Sequence, residues 1–268
     1  MGKAHRAGFC LVGIGCWALV ARAGTVIQQE GGESGSSQPK QKVTLFIDAG
    51  KLRVEGQNPD GKKFIVIFDQ DKQVVWNILP DNGAYMEITA AQVEGMSAQM
   101  NQVMQQMQAQ MARMPPEQRK MMEDMMKQRM GGAAAGSAAP TIIVQEKGKG
   151  EKVGSFTTTH YEVQSNGQRS SEIWAASTSE LHLRDSDFNT FQAMAKFYEP
   201  LARNAPKGSW TAGPLQQIQG FPVRTVVYEG QRPAYEWAVT NVEQRSLESS
   251  LFTLPTGLRK QDMMPTGR

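Results

Sequence analysis

Between Lys42 and Ile88 the chain is written as five short runs separated by tight-turn signals. Lys42 to Ile47 and Lys51 to Glu55 alternate apolar with polar residues on either side of Asp48-Ala49-Gly50. Lys63 to Asp69 and Gln73 to Leu79 are rich in β-branched and aromatic side chains, and Gly83 to Ile88 closes the series. Asn58-Pro59-Asp60-Gly61, Asp69-Gln70-Asp71 and Pro80-Asp81-Asn82-Gly83 supply the turns. Connections this short cannot make the crossovers that parallel pairing needs, so the pattern predicts an antiparallel meander. A short strand over Thr25 to Gln29 is expected before it, followed by a Gly/Ser-rich loop from Gly31 to Ser37.

Near Thr89 the period changes. Val93, Met96, Met100, Met104, Met107, Met111 and Met114 recur at steps of three and four, one face of an α-helix. Thr89 suits the N-cap, and Pro115-Pro116 ends this helix and opens a second carrying Met121, Met122, Met125, Met126 and Met130. Gly131 to Pro140 is a small-residue linker with no core-forming side chains. Strands resume at Thr141 to Gln145 and Ser155 to Val163. Asn166-Gly167 marks a hairpin into Arg169 to Ala176. A further helix from Asp185 or Ser186 to about Arg203 would bury Phe188, Phe191, Met194 and Phe197. Phe221 to Tyr228, Ala234 to Leu247 and a short apolar run at Leu251 to Leu254 complete the chain. Antiparallel strands with segregated helices make an α+β protein.

The first 23 residues read as a cleavable secretory signal: basic Lys3, His5 and Arg6, an apolar run from Phe9 to Val20, then Ala21-Arg22-Ala23. The apolar run is shorter than the ~20 residues that span a bilayer. A lipid anchor at Cys16 is the other reading, disfavoured by Gly13 three residues before it. Both cysteines, Cys10 and Cys16, fall in this segment, so the mature chain has neither disulfide nor thiolate chemistry. The whole chain holds 29 Lys and Arg against 26 Asp and Glu. Lys3, Arg6 and Arg22 leave with the signal, which makes the remainder neutral and argues against a nucleic-acid partner. No later segment is long and apolar enough for a transmembrane helix. The expected organisation is a signal over 1–23, one domain over 24–262 with a Met-rich helical insertion at 90–130 and the linker at 131–140, and a disordered tail over 263–268.

The runs Gly50-Lys-Leu-Arg-Val-Glu-Gly56, Phe64-Ile-Val-Ile-Phe-Asp69 and Tyr85-Met-Glu-Ile88 carry a family likeness. So do Met114-Pro-Pro-Glu-Gln-Arg119, Glu172-Ile-Trp174 and Ser250-Leu-Phe-Thr-Leu-Pro255. Together they resemble exported bacterial proteins defined by a domain of unknown function (DUF4412). In outline that group is similar to the outer-membrane lipoprotein carriers of the LolA/LolB type. The resemblance implies an open antiparallel β-half-barrel with helices covering its concave face, and an apolar groove between them for acyl chains. No ligand-contacting residue of the carriers aligns with a position here.

No nucleophile elbow, phosphate-binding glycine loop, zinc-protease helix or dinucleotide fingerprint is present, so a non-catalytic protein without a cofactor is expected. His160 and His182 read as strand residues rather than catalysts, and Trp76, Trp174, Trp210 and Trp237 as sheet-packing residues of which one or two could line a groove. The methionines admit three readings. They pack in the core, they line an adaptable ligand or partner groove, or they bind a soft metal such as Cu(I). The groove reading selects Met96, Met100, Met104, Met107 and Met111, with Trp76 and Trp174, as ligand-binding candidates for a lipid, lipoprotein or apolar peptide. Arg53, Lys63 and Arg224 are strand basic residues that would meet an acidic headgroup only if they faced the concave side. The leading expectation is therefore an envelope or secreted protein that holds an apolar or lipidated ligand under a Met-rich lid. The alternative is a structural or interaction module.

Overall fold

The computed structural model describes residues 23–58, 60–115, 117–118, 121, 141–202 and 213–262. The signal through Arg22, the helix expected beyond Met121, the linker and the C-terminal tail lie outside the described residues.

Two antiparallel meanders join side by side. The first comprises β1 (Ala23–Glu33), β2 (Gln41–Asp48), β3 (Lys51–Gln57), β4 (Lys63–Asp69), β5 (Val74–Leu79) and β6 (Ala84–Thr89). The second comprises β7 (Ile142–Val153), β8 (Phe156–Ser165), β9 (Gln168–Ala176), β10 (Phe221–Glu229) and β11 (Arg232–Ser246). β1 pairs antiparallel with β11 and so fuses the two into one open sheet, edged by β7 and by the short β12 (Arg259–Lys260). Helices α1 (Ala90–Ala112) and α2 (Asp185–Ala202) pack against each other on its inner face. This is the expected α+β half-barrel with a helix-covered concave side.

Local chemistry explains the elements. Ala49-Gly50 and Asn166-Gly167 all have positive φ, which matches the right-handed twist of the hairpins they close. Thr89 closes a reciprocal capping box with Gln92 at the start of α1. Thr89→Ala is expected to lower stability by about 1 kcal/mol, read as a shift of the urea midpoint.

Strand alternation divides the core between the two faces. Ile27, Leu45, Leu52, Phe68, Val75 and Ile88 point inward and bury beneath the helices, with Phe68 against Phe197 of α2 at 5.7 Å between ring centres. Val26, Phe46, Ile67 and Trp76 point outward. They are covered by Leu247, Leu251, Phe252, Leu254 and Leu258, the segment that leads into β12. Lys260 fastens its end to Glu87 at 2.7 Å.

Three elements depart from the sequence expectation. Gly31 to Glu33 continue β1 instead of opening a loop. β7 runs eight residues past Gln145, through a Lys/Gly-rich stretch with no apolar alternation, because β8 pairs with it across two bulges. Lys147, Lys149 and Lys152 on this edge discourage pairing with another chain. β12 joins β6 in parallel through two residues, too few to leave a sequence pattern.

Candidate functional site

The inner face is not filled where the two meanders meet. A cavity of about 340 Å³ lies there, within the size range of small-ligand sites. Its floor is made by Val43 and Leu45 of β2, Val54 of β3, Thr225 and Val227 of β10, and Tyr235, Trp237 and Val239 of β11. Phe191 and Met194 of α2 roof one side, and Gln29 of β1 adds a polar group. The fold explains the shape. Trp237 lies flat over Gly31, where a Cβ would stand only 2.3 Å from its ring. Phe64 covers Gly56 in the same manner on the neighbouring strands. Glycine at Gly31 lets the Trp237 ring lie down along the sheet instead of rising into the trough, while Gly56 and Phe64 border the recess at the strand ends.

The roof is anchored by a polar cluster. Asp187, in the first turn of α2, is 1% exposed. Its carboxylate accepts from Arg184 Nε at 2.9 Å and Nη2 at 2.8 Å and from the Thr25 hydroxyl at 2.5 Å. Arg184 also donates to Asp48 at 3.1 Å, in the β2–β3 turn. Burial works to lower the Arg184 pKa, but the bonds to Asp187 and Asp48 outweigh it and raise the value, so the cation is fixed. Further along α2, burial pushes the Tyr198 phenol up to about 12, which keeps charge out of the core there.

The sequence candidates fall elsewhere. Met96, Met104 and Met107 are half-buried on α1, Met100 is 40% exposed and Met111 is buried, and none of them borders the trough. Trp76 stands on the outer face, where its indole donates to Glu87 at 3.0 Å. Trp174 also faces outward, because Ile173 takes the inward position beside Thr225. It stacks on His160 at 4.3 Å, donates to Glu151 at 2.6 Å and carries the Arg224 guanidinium over its ring. Neither tryptophan lines the trough. Arg53 bonds the Leu251 carbonyl at 2.8 Å, and with Lys63 and Arg224 it belongs to the outer face, so no cation enters the concave side through these three. Among the described residues no group of three His, Cys, Asp or Glu could hold a metal ion.

Sequence reasoning left Trp237 among four tryptophans that could line a groove, preferred Trp76 and Trp174 to it, and missed Tyr235 as a trough residue. The signal was the alternation Tyr235, Trp237, Val239 in β11, matched by Val43 and Leu45 in β2. A wider recess of about 700 Å³ sits at the strand ends, ringed by Lys40, Lys42, Glu55, Gln57 and Lys63. Its polar rim suits solvent better than an apolar chain.

An open sheet with an apolar trough under a helix defines an α+β protein of the half-barrel class. Residues 89–258 match the family model described as a domain of unknown function (DUF4412), and the chain belongs to that family. No curated protein matches the sequence. Among solved structures the chain is similar to PNGF-II at 10% identity and a TM-score of 0.40, over 90% of this chain and 31% of that one. It thus spans about a third of that protein's length. It is similar to a chain of the Pseudomonas aeruginosa MucA/MucB complex at 9% identity and a TM-score of 0.37, over 89% of this chain and 58% of that one. It is also similar to the LolA superfamily protein NE2245 from Nitrosomonas europaea at 8% identity and a TM-score of 0.28, over 88% of this chain and 91% of that one.

Proposed function

We propose that this chain is an exported, non-catalytic binding protein that holds an apolar or lipidated chain in the trough beneath α2. The observation that carries the reading is the trough itself: walls of valine, leucine and aromatic side chains, with Gln29 and Thr225 as the few polar groups. Such a site rewards removal of hydrocarbon from water at ~25 cal/mol per Å² and offers little for a charged group to bind. The basic and apolar N-terminal segment supports export to the envelope or beyond it.

The test is direct. Protein purified from the envelope is examined by native mass spectrometry for bound lipid, and the delipidated chain is titrated with a fluorescent fatty acid while Trp237 emission is followed. Val54→Trp, which fills the floor, is expected to weaken probe binding about tenfold or more, a loss of ~1.4 kcal/mol or above. Absence of co-purified lipid together with equal probe affinity in the two proteins removes the proposal.

A further inference from the structure

The trough leaves the methionines of α1 without a role. They form a stripe of graded exposure: Met100 at 40%, Met96, Met104 and Met107 half-buried, and Met111 at 6%. Val93 and Val103 are the only other large apolar side chains on the helix. Neither shape nor helix propensity calls for methionine at these positions, because leucine matches it closely in both. What the thioether adds is polarizability and reactivity toward two-electron oxidants. No thiol competes among the described residues, since Cys10 and Cys16 both precede Ala23.

The attachment of α1 also fits a response. Val93 is fully buried near its start, and the Ser97 hydroxyl donates to the Pro200 carbonyl of α2 at 2.8 Å. Along the rest of the helix Met96, Met104 and Met107 are half-buried and Met111 is buried, while the exposed positions are mostly glutamine, asparagine and alanine with no lysine or arginine. Turning those thioethers into sulfoxides places a strong dipole on side chains that the fold half withdraws from water.

We propose that α1 is an oxidation-responsive element, in which a peroxide converts Met100 first and then Met96, Met104 and Met107 to sulfoxides, loosening the helix from α2. In each step the sulfur lone pair attacks one peroxide oxygen. An S–O bond forms as the O–O bond breaks, sulfur is oxidised by two electrons, and the other oxygen takes the proton and leaves as water. This inference stands apart from the trough, because none of these methionines borders it.

The experiment treats the full chain with hydrogen peroxide and follows each methionine by peptide mass spectrometry and each segment by amide hydrogen exchange. Met100 should oxidise before Met111, and exchange across residues 90–112 should rise about tenfold while that of β2 to β5 holds. Methionine sulfoxide reductases should restore the slow exchange. The quadruple variant Met96→Leu, Met100→Leu, Met104→Leu and Met107→Leu should show no peroxide response. Unchanged α1 exchange after Met100, Met104 and Met107 are fully oxidised overturns the proposal, and so does an equal rise in the leucine variant. Should that variant not fold, the order of oxidation and its reversal in the native chain decide the matter: oxidation of Met111 at the rate of Met100, or exchange that reductase leaves fast, overturns it.

Discussion

Gly31→Ala is expected to destabilise the protein by about 2–3 kcal/mol and to lift Trp237 from the trough floor. The added Cβ would stand 2.3 Å from Trp237 Cδ2 and 2.5 Å from the Glu236 carbonyl oxygen. The ring can swing away, but the carbonyl belongs to the β1–β11 ladder that fuses the two meanders. Relief therefore requires a backbone shift at the seam of the sheet. For a domain of this size the loss corresponds to a fall in melting temperature of roughly 5–10 °C. Trp237 emission should change with it, and the displaced indole should narrow the trough and weaken the fatty-acid probe. Gly32→Ala is the control, since nothing lies within 4 Å of a Cβ there. Equal melting temperatures for the two variants would show that the close approach at Gly31 is not what holds the ring down.

That pair of glycines also marks where sequence reading stops. The strands of the first meander were legible because turn chemistry and alternation agree at each step from Lys42 to Ile88, and β4 matches its expected bounds at both ends. The α1 cap, the Asn166-Gly167 hairpin and α2 were legible for the same reason: each is a local rule satisfied by adjacent residues. Gly31 was read as loop because a glycine pair is ordinarily a break in a strand. Its reason for being in β1 is a tryptophan more than 200 positions away in the chain. The trough was hidden likewise. Which of Trp76, Trp174 and Trp237 faces inward depends on register across several strands, and periodicity alone gives two faces without saying which one the helices cover. The methionine stripe was plain in the sequence, yet its distance from the trough follows from α2 roofing the cavity while α1 lies against α2 and β6.

Asp187→Ala should have the larger effect, a loss of about 3 kcal/mol or more, because it removes a buried carboxylate and takes partners from the fully buried Thr25 hydroxyl and the half-buried Arg184. Arg184 would lose both contacts to the Asp187 carboxylate and keep only Asp48, while the fully buried Thr25 hydroxyl would keep Gln244 as its neighbour. The cluster ties the first turn of α2 to β1 and to the β2–β3 turn, and Phe191, one helical turn further on, roofs the trough. Loss of the anchor should therefore lower the melting temperature by roughly 10 °C and weaken the fatty-acid probe in the same variant. Asp187→Asn keeps the shape and one acceptor and should lie between wild type and alanine. A double-mutant cycle with Arg184→Ala separates the ion pair from the helix-capping contribution of an acidic first turn. A coupling of about 2 kcal/mol is expected if the two residues act as one anchor. Additive losses would mean that Asp187 serves α2 alone, and that the roof is held to the sheet by its apolar contacts without the clamp.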